Sequence, residues 1–197
     1  MSANFNVSPS PHIRDRVKSS NIMLFVVIAL LPATFFGIYN FRHENAWLLV
    51  LVTTASAVLA EYIYEKLMHK PVTIQDFSAV VTGLLLALNL PPTLPLWMGA
   101  LGSVFAIIVV KQLFGGLGFN FANPALLGRI VLFIGFAGRM TAYAFPQTDI
   151  DALASATPLV AGNSMAGKDM LLQLLLGAHG GVLGETCAVA LIWAAFT

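Results

Sequence analysis

From Asn21 to Tyr39 the chain carries no charged side chain, and a leader containing Arg14, Arg16 and Lys18 stands directly before it. About 19 residues rising roughly 1.5 Å each span about 28 Å, close to the roughly 30 Å of a bilayer's hydrocarbon core. This run predicts a membrane-crossing helix, with Pro32 as a candidate kink and the cationic leader as a cytoplasmic anchor. Composition agrees. With 58% hydrophobic and 10% charged residues, the chain has more apolar surface than one water-soluble core of this size can hide. A net charge of +1 gives no basic field, which argues against nucleic acid as a partner. The single cysteine, Cys187, excludes an internal disulfide and any cysteine-ligated cluster made by this chain alone. Residues 1–20 lack an apolar core and a small-residue cleavage site, so the first span is expected to direct insertion itself.

Further apolar runs follow in order. Trp47–Ile63 returns after a short polar link and ends among Glu61, Glu65, Lys66, His69 and Lys70. Phe77–Leu90 is too short for a comfortable crossing and is stopped by Pro91, Pro92 and Pro95. Trp97–Leu113 is near full length, with Gly99 and Gly102 suggesting close packing, and Lys111 marks its cytoplasmic end. The breaker-rich stretch from Phe114 to Pro124 predicts a loop, after which Asn123 as N-cap and Pro124 as first residue start a short helix to Phe136. Short pieces interleaved with fuller spans fit a broken-helix, transporter-like fold; tilted or re-entrant segments without a ligand are the alternative. The expected architecture is an all-α polytopic membrane protein with about six transmembrane or half-membrane helices. Its parts are a cytoplasmic leader (1–20), a transmembrane region (21–136), an extracytoplasmic loop (137–170) and a further membrane segment (171–197). Lys and Arg counts set the orientation: Arg14, Arg16, Lys18, Lys66, Lys70 and Lys111 inside, Arg42, Arg139 and Lys168 outside, Arg129 embedded.

One polar island interrupts the apolar chain, Asp151-Ala152-Leu153-Ala154-Ser155-Ala156-Thr157-Pro158-Leu159. Pro158 biases Thr157 toward extended geometry on a loop, and small Ser155 and Ala156 leave its hydroxyl accessible. Read alone, the island is a surface turn in which Asp151 caps a helix or an Asx-turn, and only the surrounding chain shifts that reading. Gly116-Leu117-Gly118 lacks the third glycine of a dinucleotide fingerprint and reads as a tight turn. The four histidines fall in separate loops or ends and form no metal pattern. Glu61 and Lys111 are read as snorkelling helix-end charges, whereas Arg129 and Glu185, each followed by an apolar run, are candidates for an ion path.

Several blocks, in order, carry a resemblance: Ser-Pro-His-Ile-Arg in the leader, Asp76-Phe77-Ser78-Ala79 through Thr82-Gly83 to Pro91-Pro92, Gly115-Gly116-Leu117-Gly118 with Asn123-Pro124-Ala125, the Asp151–Leu159 island, and Gly184-Glu185-Thr186. Together the chain resembles the D subunits of Rnf electron-transport complexes, which are related to the B subunits of sodium-translocating NADH:quinone reductases; the short leader favours the Rnf type. The resemblance implies a urea-channel-like fold in the bacterial or archaeal cytoplasmic (inner) membrane, with Thr157 outside. It implies FMN joined through its phosphate to Thr157, with Asp151, Ser155 and Ala156 as motif neighbours, installed by a flavin transferase. Ala154 and Ser155 depart from the usual Ser/Thr and Gly of that motif. The implied role is an electron relay coupled to Na+ or H+ transport, beside other Rnf subunits including the FMN-carrying G subunit. A second, non-covalent flavin (riboflavin) is left open, as is a channel reading in which the Thr157 loop is only structural. Family members continue with more membrane helices, so the chain is expected to be incomplete relative to them.

Overall fold

The computed structural model describes residues 18–142, 180–185 and Ile192. Among these every regular element is helical. Helix α1 (Ser19–Asn40) and helix α2 (Ala46–Leu67) have 22 residues each and are long and apolar enough to cross a bilayer. Helix α1 runs through Pro32 as one element. A one-turn 3-10 link, Arg42–Glu44, and Asn45 in a left-handed conformation reverse the chain between them. Three shorter apolar helices follow. They are α3 (Ser78–Leu88), α4 (Leu96–Phe105, prolonged by a π-helical stretch, Ala106–Gln112) and α5 (Pro124–Gly135). A single turn, α6 (Ala137–Met140), closes the described bundle.

Five of the roughly six expected spanning or half-spanning helices are present among the described residues, and the last expected segment, 171–197, lies mostly outside them. Two helices reach spanning length, and three apolar ones do not. The reason is local. Phe77, left-handed at φ 57°, starts α3 late, and Pro91, Pro92 and Pro95 follow its end, while Gly115, Gly116 and Gly118, all at positive φ, terminate the π stretch. Asn123 caps α5 as its sequence predicts, its Oδ1 accepting from the Ala125 N–H at 3.0 Å with Pro124 behind it.

Short helix α3 sits innermost. It packs along α2, where a methyl added at Gly83 would stand 2.8 Å from the Thr54 Cα, so only a hydrogen there permits the approach. Leu84, Leu86, Leu88 and Leu90 join Leu49, Met98 and Leu132 in the main core. The C-terminal end of α3 is closed by a distant segment: the Leu183 N–H donates to the Leu90 carbonyl at 3.2 Å and that of Gly184 to the Leu88 carbonyl at 2.8 Å. Outward faces of α1 and α5 expose Phe25, Phe35, Ile130 and Ile134, as lipid-facing surfaces do.

Candidate functional site

The last turns of α2 place Glu61 and Glu65 four residues apart on one helical face. Opposite them stands the π stretch. Its hydrogen bonds reach back five residues, as from the Leu113 N–H to the Ile108 carbonyl at 3.0 Å, so each residue turns through a smaller angle than in an α-helix. Adjacent Lys111 and Gln112 thereby both address α2. The Lys111 ammonium lies 2.6 Å from Glu61 Oε1 and 2.7 Å from Ser78 Oγ at the start of α3. Gln112 Nε2 donates to the same Glu61 oxygen at 2.8 Å and to Glu65 Oε1 at 3.4 Å. Thr73 closes the outer side, its N–H donating to Glu65 Oε2 at 3.0 Å and its hydroxyl to Glu65 Oε1. That hydroxyl also lies 3.5 Å from Glu61 Oε1.

This arrangement corrects the snorkelling assignment of Glu61 and Lys111. Glu61 is 0% exposed and Lys111 2%, and they pair inside the protein instead of reaching toward water. Desolvating two such charges costs several kcal/mol per ion unless they pair and hydrogen-bond closely, which is what the cluster does for Glu61 Oε1 and Lys111. Glu61 Oε2, also buried, has no hydrogen-bond partner among the described residues.

Two cavities flank the cluster. The larger, about 560 Å³, is lined by Lys18, Glu65, Lys70, Thr73, Asp76 and Gln112, and brings the start of α1 and the ends of α2 and the π stretch to one end of the bundle. The smaller, about 330 Å³, is lined by Met23, Ser78, Thr82, Lys111, Asn120 and Asn123. Lys111 and Ser78 thus form a wall between the carboxylates and the smaller cavity. Within it, Asn120 Oδ1 is buried without a partner among the described residues.

Asp151, Ser155, Ala156 and Thr157, the residues expected to carry a flavin, lie outside the described residues. Of the two ion-path candidates, Arg129 is half-buried and donates from Nη1 to Asn89 Oδ1 at 3.0 Å, and Glu185 is exposed. The sequence by itself does not join Glu65, Thr73, Ser78 and Gln112 to Glu61. The available signal is two glutamates at helical spacing on an apolar helix.

The sequence model of the NQR2, RnfD, RnfE family matches residues 6–197, almost the whole chain. The chain belongs to that family. Among relatives of this NQR2, RnfD, RnfE member, the D subunit of the Na+-translocating ferredoxin:NAD+ oxidoreductase complex of Acetobacterium woodii is 45% identical over 194 residues, covering 96% of the chain and 60% of that protein. The D subunit of the proton-translocating ferredoxin:NAD+ oxidoreductase complex of Clostridium ljungdahlii is 39% identical, covering 95% and 60%. The D subunit of the ion-translocating oxidoreductase complex of Salmonella enteritidis is 40% identical, covering 89% and 51%. The chain therefore spans about 60% or less of the length of these relatives. Family membership agrees with the resemblance carried by the Asp76–Pro92 and Gly115–Ala125 blocks, and the two spanning-length helices fit a membrane protein.

Proposed function

We propose that this chain is part of a membrane redox subunit of an Rnf-type ion-translocating ferredoxin:NAD+ oxidoreductase, carrying FMN on Thr157 and relaying electrons coupled to ion movement. The observation that carries the ion-coupling part is the buried Glu61–Lys111 cluster between two cavities, because ionisable groups persist inside an apolar bundle where they serve an ion or electron path. The similarity to proteins named for ferredoxin:NAD+ oxidoreduction supports the redox part. Those names include one Na+-translocating and one proton-translocating complex, so either ion fits the reading.

In this reading the Thr157 hydroxyl is the attachment atom, presented by the loop with Asp151, Ser155 and Ala156, and a flavin transferase loads it. A phosphoester at that position leaves the isoalloxazine ring free for one- and two-electron chemistry while the tether keeps it at high effective concentration. Partner subunits, including the FMN-carrying G subunit, supply and accept the electrons, and the protein works in the cytoplasmic membrane with Thr157 outside.

The cavity beside Lys111 suits the second, non-covalent flavin. Its volume is at the lower end of the roughly 300–1,000 Å³ of small-molecule sites, and Asn120 Oδ1 is an acceptor in need of a donor such as a ring imide N–H. Asn120, Asn123, Thr82 and Ser78 provide its polar contacts, and Met23 and Pro124 its apolar walls.

Mass spectrometry of the peptide from Asp151 to Lys168, after co-expression of the full-length protein with a flavin transferase, tests the attachment. FMN mass on Thr157, absent from Thr157→Ala, is expected. An unmodified peptide, or FMN on another residue, overturns the assignment. For the second flavin, Asn120→Leu is expected to lower solvent-extractable flavin while the covalent flavin remains; unchanged extractable flavin removes the smaller cavity from consideration.

A further inference from the structure

We propose that the larger cavity, at the Lys18 and Lys70 end of the bundle, seats the phosphoethanolamine headgroup of a membrane phospholipid. Its ionisable lining is Lys18 at the start of α1, Lys70 beyond α2, Asp76 in the turn before α3, and Glu65. Glu65 is already engaged, by the Thr73 N–H and hydroxyl and by Gln112. The other three are not: neither lysine forms an ion pair with a described residue, and the Asp76 carboxylate accepts no hydrogen bond from one. They surround a hollow of about 560 Å³, which has room for a headgroup and far more than an ion needs.

Charge decides which headgroup. The formal charges of the lining sum to zero, two ammoniums against two carboxylates, so the wall complements a group that carries both signs. A phosphodiester alone answers the lysines and leaves Asp76 facing an anion. An ammonium linked to it by two carbons answers Asp76 as well. The walls are tied together, since the Ser20 hydroxyl at the start of α1 donates at 3.0 Å to the Gln75 carbonyl, next to Asp76. Helix α1 has no side-chain cap, so its first N–H groups, at Ser19 and Ser20 in the same wall, add donors for a phosphate.

Depth in the membrane decides for a lipid over a water-soluble phosphoester. Lys18 stands just before the uncharged run of α1, whose first turns expose Ile22 and Phe25. The glycine loop that lends Gly115 and Gly116 to the cavity wall exposes Phe114, Leu117 and Phe119. At the same end the Lys66 and Lys70 ammoniums lie 5.7 and 5.1 Å from the Tyr62 and Tyr64 ring centroids, the aromatic and cationic company of a membrane–water interface. A headgroup in the cavity therefore sits at headgroup depth, with apolar side chains beside it for the acyl chains. Basic pockets between membrane helices hold lipid headgroups in this way. The site is separate from the flavin and the buried Glu61–Lys111 pair, and stands or falls without them.

The experiment is native mass spectrometry of the full-length protein, delipidated in detergent and titrated with an equal mixture of phosphatidylethanolamine and phosphatidylglycerol of the same chains. The wild type is expected to retain one phosphatidylethanolamine severalfold more tightly than phosphatidylglycerol. Lys18→Gln and Lys70→Gln should each weaken that retention about fivefold. Asp76→Asn should reverse the preference, because the wall then carries net positive charge and suits the anionic lipid. Lys66→Gln, which removes a charge at the same end but outside the cavity, should change nothing. Soluble glycerophosphoethanolamine at the lipid's concentration should leave the lipid bound. A wild type without headgroup preference, or an unchanged preference in Asp76→Asn, overturns the proposal. So does Lys66→Gln weakening retention as much as Lys70→Gln, which would mark general surface charge, or displacement of the lipid by the soluble headgroup.

Discussion

Arg129 Nη1 lies 3.0 Å from Asn89 Oδ1, and the same Asn89 amide donates from Nδ2 to the Leu85 carbonyl at 2.8 Å. A cation from α5 is thereby held at the C-terminal end of α3, beside the negative end of the helix dipole. Arg129→Met is expected to cost about 1–2 kcal/mol, and Arg129→Lys less, because the charge stays while one donor geometry is lost. Thermal unfolding of the full-length protein in detergent measures both. Equal losses would show that the hydrogen bond to Asn89, and not the charge, carries the effect.

Breaking the Lys111–Glu61 pair from one side leaves a buried charge without its partner. Lys111→Met is expected to destabilise by about 3 kcal/mol or more, and removing both charges by Glu61→Gln with Lys111→Met to cost less than the sum of the single changes. A double-mutant cycle in chemical denaturant gives the coupling. Additive losses would mean that the two side chains do not interact in solution.

Two glycines offer a packing contrast. A side chain at Gly83 meets the Thr54 Cα at 2.8 Å and the Ala57 Cβ at 2.9 Å, main-chain and methyl atoms that cannot swing aside, whereas one at Gly135 meets nothing within 4 Å. Gly83→Val should therefore cost about 1–3 kcal/mol, and Gly135→Ala be neutral or slightly stabilising. Melting temperatures of the two variants in the same detergent check the pair.

Asn123 caps α5 and lines the smaller cavity at once. Asn123→Ala is expected to lose about 1 kcal/mol, while Asn123→Asp, which keeps the accepting oxygen, should lose less. Helix content followed by circular dichroism during thermal unfolding separates the two.

The end of the bundle bearing Lys18 and Lys70 is expected to face the cytoplasm, and the Arg42–Glu44 turn at the far ends of α1 and α2 to face outward. Cysteines at Lys70 and at His43, in a chain with Cys187→Ser, should react in the opposite order with an impermeant reagent applied to intact cells and to inverted vesicles. The same order in both preparations would show that the bundle lies otherwise in the membrane.

Helix positions are largely legible because each follows from a local cause. The apolar run without charges gives α1, and Asn123-Pro124 gives the start of α5. The start of α3 is less so, since Phe77 adopts a left-handed conformation that its side chain does not advertise. Glu61 and Lys111 read as snorkelling charges because, on one apolar helix taken alone, a charge near the end has water within reach. What brings them together is the π register after Phe105, which turns Lys111 and Gln112 to the same neighbour, and no residue between Ala106 and Gln112 signals that register. Lengths set by prolines and glycines are readable; pairing across helices is not.

The carbonyls of Leu88 and Leu90 receive the N–H groups of Gly184 and Leu183, residues that leave the ribosome long after α3 has been made. Until then the tip of α3 stands open inside an apolar environment, where exposed carbonyls are costly. Insertion of this chain is thus expected to pause at a half-finished hairpin whose closure waits for the 180–185 segment, and that segment acts as a late latch in biogenesis. Synthesis arrested before Val182 should leave α3 sensitive to protease or backbone exchange at Leu88–Leu90, and extension past Glu185 should protect it.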